Sequence, residues 1–132
     1  MRRLPIFTFS ELEINNPYHA LVENVDLVVT RYGESEEELS VFYGRCAHRG
    51  ALLADGYVSG KTLICGVHNW DFRVDTGISE YNNDEALPKF TSWVEDDQVL
   101  VDADEIAEWE NEHPQPFDRK AYLGNYADLH PI

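Results

Sequence analysis

Cys46-Ala-His-Arg-Gly-Ala-Leu-Leu53 and Cys65-Gly-Val-His-Asn-Trp-Asp-Phe-Arg-Val-Asp-Thr-Gly77 hold both cysteines of the chain and two of its five histidines. Cys46-x-His48 and Cys65-x-x-His68 set one thiol and one imidazole on each of two short loops, with residues 49–64 between them. Four such ligands suit either a tetrahedral Zn²⁺ or a [2Fe–2S] cluster in which two cysteines hold one iron and two histidines the other. Zinc sites usually pair like with like, two cysteines on one knuckle and two histidines on a helix. Here each loop carries one of each, the arrangement a cluster with two inequivalent irons needs, since each loop must reach both metals.

The pattern resembles the Rieske signature, Cys-x-His followed after fifteen to seventeen residues by Cys-x-x-His. His48-Arg49-Gly50-Ala51-x-Leu53 with Gly56 looks like the first loop of that family, and Phe72 with Thr76-Gly77 like the end of the second. The likeness covers roughly residues 1–101. It implies that Cys46 and Cys65 bind an inner iron. It places His48 and His68 on an outer iron near solvent, through Nδ1, with Nε2 facing a partner. Two residues depart from the pattern: Gly66 stands where Pro is common, and Asn69 where Gly is usual. Asn tolerates a positive φ better than other non-glycine residues, so the second change alters loop stiffness, not ligation.

The resemblance also bears on the potential. Bc-type relatives clamp the loops with a disulfide and hydrogen-bond the cluster through Ser and Tyr hydroxyls. Ala47 and Val67 stand at the disulfide positions, Trp70 at the Ser and Phe72 at the Tyr, and none can do that work. Donors to the sulfurs stabilise the reduced cluster, so their loss moves the potential towards the bottom of the Rieske range, roughly −150 mV. A net charge of −15 works in the same direction, because reduction adds one more negative charge, with screening limiting the long-range part.

At 132 residues, 43% hydrophobic, the chain suits one domain with one core and leaves no room for a second catalytic domain. Twenty-five acids against ten bases argue against nucleic acid or an anionic membrane as partner. With both cysteines spent on the cluster, none remains for a disulfide, which fits a cytoplasmic protein. Arg2-Arg3 does not open an export signal, since the following Leu4 to Phe9 is short, contains Pro5 and runs into Ser10-Glu11. No apolar run approaches the length of a membrane span.

Taken in order, Leu4 to Phe9 reads as a strand and Ser10 to Glu13 as a helical turn capped by Ser10. His19 reads as a surface or internally satisfied residue, not a fifth ligand. Leu21 to Tyr32 gives two short strands or one bent one, and Leu39 to Tyr43 returns antiparallel and delivers Cys46. Tyr57-Val58 and Thr62 to Ile64 flank Ser59-Gly60-Lys61, a hairpin signal, and deliver Cys65. Trp70 to Val74 and Ile78 to Tyr81 make a third hairpin. Asn82 to Pro88 matches the family's proline loop, with Leu87 and Pro88 as an apolar lid. Phe90 to Val94 and Val99 to Val101, about Asp96-Asp97, close the sheet. Asp102-Ala-Asp-Glu105 resembles a capping box opening a helix over 103–112, ended by His113-Pro114. Tyr122, Leu123, Tyr126 and Leu129 mark an apolar-rich tail.

The expected fold is all-β, a Rieske-type antiparallel sandwich or barrel. It carries a cluster-binding subdomain of two ligand loops and a proline loop, plus a short C-terminal helix and tail. The domain spans 1–101 and the extension 102–132. No dinucleotide fingerprint, nucleophile–base pair or mononuclear-iron spacing is present; His113 and His130 do not supply one. The leading reading is therefore a soluble, low-potential ferredoxin carrying one electron from a flavin reductase to a terminal oxygenase. A second is the Rieske segment of a larger enzyme. The runs Asn69-Trp70-Asp71-Phe72, Ile78-Ser79-x-Tyr81-Asn82 and His113 to Asp128 look like the segment preceding an FMN-binding glutamate synthase-like domain. A third is a non-redox interaction module with a structural metal.

Overall fold

In the computed structural model the described residues are 2–45, 52–65, 71–79 and 86–113. They form β1 (Arg3–Thr8), a 3₁₀ turn (Phe9–Glu11), β2 (Pro17–Val22), β3 (Val25–Arg31) and β4 (Leu39–Tyr43). A second 3₁₀ turn (Leu53–Asp55), β5 (Tyr57–Ser59), β6 (Thr62–Ile64) and β7 (Asp71–Arg73) follow. Then come β8 (Ser92–Glu95), β9 (Gln98–Asp102) and α1 (Ala103–Glu112). All pairings are antiparallel, in three sheets of order β1-β9-β8, β2-β3-β4 and β5-β6-β7.

The middle sheet organises the molecule because β3 is buried on both faces, from Val25 through Thr30. Leu27, Val29 and Val41 point into one core with Phe9, Val99, Val101 and Ile106. Val28 and Phe42 point into a second core with Leu53, Leu63, Phe72 and Leu87. A strand covered on both sides loses the period-two alternation, which is why 21–32 alternates only loosely in sequence. β2 begins at Pro17, four residues before the expected Leu21. Asn15 turns the chain at φ 63°, and Pro17 opens an edge strand where its missing N–H costs no ladder bond.

Tight turns set the registers. Glu23 and Asn24, at φ 50° and 67°, join β2 to β3, and Asp96 and Asp97, at 50° and 65°, join β8 to β9. Left-handed pairs of this kind match the twist of the strands they connect. The Ser59–Lys61 hairpin forms as expected, with Gly60 at φ 62°. β9 closes its sheet from the centre, between β1 and β8.

Two local expectations are corrected. Ser10 does not cap a helical turn: it lies inside the 3₁₀ turn, and its amide and hydroxyl both donate to the Asp97 carboxylate, pinning the β8–β9 turn. The capping box is half made. Asp102 accepts from the amides of Asp104 and Glu105, but Glu105 turns away to accept from the amide and hydroxyl of Thr91 at 2.7 and 2.8 Å. The expected third hairpin is described only in part, since Trp70, Glu80 and Tyr81 lie outside the described residues. Gly77, at φ 78°, bonds back to the Arg73 carbonyl, Arg73 N donates to Ile78 O, and Ile78 then bridges Ala86.

α1 packs through Ile106, fully buried, and Trp109, and His113 ends it by donating to the carbonyls of Trp109 and Glu110. Arg2 fastens the other end of the chain to it, its guanidinium reaching Glu23 at 2.8 Å and Asp104 at 2.7 Å. None of the helices among the described residues is long and apolar enough to cross a membrane.

Candidate metal centre

β4 does not run straight into the first ligand loop. At Gly44 the backbone presses against β3, where a Cβ would lie 2.6 Å from the carbonyl carbon of Leu27. Only glycine fits this approach, and it lets Gly44 N donate to Asp26 O at 2.7 Å while Gly44 O accepts from Leu53 N at 2.8 Å. Arg45 then bridges Leu52. The two chain ends flanking residues 46–51 are therefore held together at their base.

The second loop has the same construction. Ile64 pairs with Asp71 across β6 and β7, closing the base of residues 65–70. Cys65, the first residue beyond β6, is completely buried and in no disulfide. A third base is closed by the Ile78–Ala86 bridge and by Leu87 N donating to Gly77 O at 2.9 Å. Residues 80–85, which include the first four of the expected proline loop 82–88, lie between these ends and outside the described residues.

One apolar cluster lies under all three bases. Leu53 leaves the first loop, Cys65 and Phe72 flank the second, Leu87 leaves the third, and all pack with Phe42 and Val28. Polar contacts stitch the bases to one another. Ser79, fully buried, donates to Asp71 at 3.0 Å and so joins the third base to the second. Tyr43 N donates to Pro88 O at 2.9 Å, joining the third to the first. Leu87 is buried in this cluster and Pro88 is tied to β4.

At the base of the first loop is a carboxylate that no sequence motif marks. Asp26, 1% exposed, accepts from Arg45 Nε at 2.7 Å and contacts His19 Nε2 at 2.8 Å. His19 is thus internally satisfied, as its sequence context suggested. Asp26 was concealed by lying in the apolar run Val25–Val29; a lone acid inside such a run was the signal available. A buried carboxylate is tolerated only when paired and hydrogen-bonded, and here the partner is the residue before Cys46.

Of the four ligands expected from sequence, Cys65 is placed as described; Cys46, His48 and His68 lie outside the described residues, as do Gly66, Asn69, Ala47, Val67 and Trp70. Among the described residues no three His, Cys, Asp or Glu side chains are grouped to hold a metal. Phe72 is fully buried in the second core and offers no hydroxyl. The donor chemistry fits an iron–sulfur group: a thiol shut off from water, at a strand end, on a loop whose sequence carries an imidazole three residues on.

Three segments closed at their bases over one apolar cluster, with a shielded cysteine at one of them, offer a place where a small inorganic centre could be held. The chain belongs to the Rieske [2Fe-2S] domain family, which residues 2–91 match. It is an electron-transfer module with a Rieske-type [2Fe–2S] cluster, which when bound takes up and gives back one electron. The methylxanthine N1-demethylase NdmA of Pseudomonas putida is 37% identical over 73 residues, 52% of this chain and 20% of that protein. The chain spans a quarter or less of the length of the curated relatives it matches. A ferredoxin of Sphingomonas yanoikuyae B1 shares the fold at TM-score 0.66 and 24% identity, over 76% of this chain and 98% of its own. A complex of reduced oxygenase and oxidised ferredoxin in carbazole 1,9a-dioxygenase contains a chain alike at TM-score 0.67 and 23% identity, over 76% and 93%.

Proposed function

We propose that Cys46 and Cys65 hold the inner iron and His48 and His68 the outer one, and that the protein is a low-potential one-electron carrier. Family membership supports the cluster, and the burial of Cys65 at the closed base of its loop is the observation that carries the ligand assignment. The low potential is supported by Phe72, which brings no hydroxyl to the site, and by the net charge of −15. On this reading 1–101 is the electron-transfer domain and 102–132 an extension. The partners are redox proteins, a flavin reductase as donor and a terminal oxygenase as acceptor, in a cytoplasmic setting. The ferredoxin–oxygenase complex named above supports such a pairing, and the acidic surface suits docking on a basic patch.

A second reading, a Rieske module of a larger FMN-dependent, glutamate synthase-like oxidoreductase, is favoured by one observation. The matched segment forms only a small part of its curated relatives. The structural-zinc reading is set aside, because the family is defined by an iron–sulfur cluster.

Replacing His48 or His68 by Cys tests the ligand set. Each variant is expected to keep at best a ferredoxin-type cluster with a lower potential, since a thiolate replaces a neutral imidazole. A His68→Cys protein with unchanged potential and unchanged electron paramagnetic resonance would remove His68 from the set.

A further inference from the structure

The matched family segment ends at residue 91, and α1 lies beyond it. Yet α1 packs, within the first core, on residues that flank two of the three loop bases, Tyr43 before the first and Phe90 after the third. Trp109 lies with its ring centroid 4.8 Å from that of Tyr43 and 5.6 Å, edge to face, from that of Phe90. Tyr43 ends β4, three residues before Cys46, and its amide holds Pro88. Phe90 follows that segment and donates from its amide to Val41 O at 2.9 Å. Phe42 and Lys89 form the bridge between them. Four residues before Trp109, Glu105 accepts the amide and hydroxyl of Thr91. On its outer side Trp109 is stacked by His113 at 4.5 Å, whose Nδ1 lies 3.0 Å from the Trp109 carbonyl.

We infer that α1 is a clamp for the cluster site, with Trp109 and Glu105 as positioning residues that fix the exit of the first ligand loop's strand against the exit of the proline loop. The inference rests on the ligand reading given above. Trp109 belongs to the first core, and two features of the helix there bear on the loop segments. Glu105 gives up the reciprocal bond to its own helix N-terminus to hold Thr91, a residue of the loop-exit segment. Trp109 spans both segments where they are already bridged, so displacing it loosens their mutual position, not one strand alone. Groups that orient ligand-bearing loops act on a metal centre through ligand geometry and solvent access, without touching it.

The test uses the full chain with its cluster. Iron and sulfide are counted first on the unaltered protein, so a chain without cluster removes the ligand reading and leaves the clamp to be judged by amide exchange. In Trp109→Ala the midpoint potential and the resonance g-values are expected to move, and the amides of Tyr43 and Phe90 to exchange about tenfold faster. Loss of iron to a chelator should quicken by about the same factor. Trp109→Phe should recover most of each change, and Glu108→Ala, on the exposed side of the helix, should change none. Should Trp109→Ala fail to fold, Glu105→Ala carries the same readouts through Thr91. A lower melting temperature with potential, g-values and the two amides unaltered would show that α1 only stabilises the fold, and would overturn the inference.

Discussion

Two side chains tie the stability of the fold to charge, Asp26 at the base of the first loop and Tyr32 at the edge of the middle sheet. Asp26 is the only acid within the buried stretch 25–30 of β3, and its stabilisation comes from Arg45 and His19. Removing one member of a buried pair strands the other, at a cost of about 3 kcal/mol. Asp26→Asn is therefore expected to lower the unfolding free energy by that amount, read as a lower urea midpoint at an unchanged m-value, and to release iron more readily. A loss under about 1 kcal/mol would mean that desolvation already cancels the pair. Tyr32 sits where the middle sheet meets the β5–β6 hairpin, in a cleft of about 390 Å³ shared with Glu38, Lys61 and Asp75. Burial raises its phenol pKa first, and the charges of Asp75 and Glu38 raise it further. A raised folded-state pKa contributes stability that is full below the unfolded value, about 10, and lost as pH rises through the folded value. Tyr32→Phe should match the unaltered protein at neutral pH and keep more of its stability above about pH 10. Alkaline melts check this, and parallel losses in the two proteins would contradict it.

At the scale of elements, residue chemistry spoke clearly where one residue type suffices. Gly60 marked its hairpin, Asp102 its helix, and Asp96-Asp97 its turn. It spoke less clearly where a partner distant in sequence decides. Ser10 has the chemistry of a helix cap, but Asp97, brought beside it by the β1–β9 pairing, takes both its donors. Glu105 fits a capping box until Thr91 lies within reach. The Glu23-Asn24 turn escaped because Glu seldom adopts φ near 50°; its carboxylate is held by Arg2. The β8–β9 turn offers a contrast within one hairpin. Both aspartates carry left-handed strain, but Asp97 alone is tied to Ser10. Asp96→Gly is expected to stabilise by up to about 1 kcal/mol, and Asp97→Gly to destabilise. Thermal melts of the two variants check the sign; equal shifts would show that the Ser10 contact contributes nothing.

Over the whole molecule, the spacing of four ligand-type residues carried family and cofactor, and the fold followed from short strands punctuated by turns. The stitching of the loop bases was not legible. Gly44, Asp26 and the Ser79–Asp71 bond belong to contacts between segments that no local pattern joins. The middle sheet faces one core that holds the sandwich together and a second that carries Cys65 and the loop bases, so these bases rest on β3, which is buried from Val25 through Thr30. On the proposed reading, the net charge of −15 and the lack of a hydroxyl on Phe72 both disfavour the added electron.

The most direct measurement is an anaerobic redox titration at neutral pH on protein whose iron and acid-labile sulfide have been counted. The account predicts the two irons and two sulfides of the family's cluster. It also predicts a single reversible one-electron step near or below about −100 mV. A step well above zero would contradict the low-potential carrier, and no step at all, with zinc in place of iron, would contradict the electron-transfer reading itself.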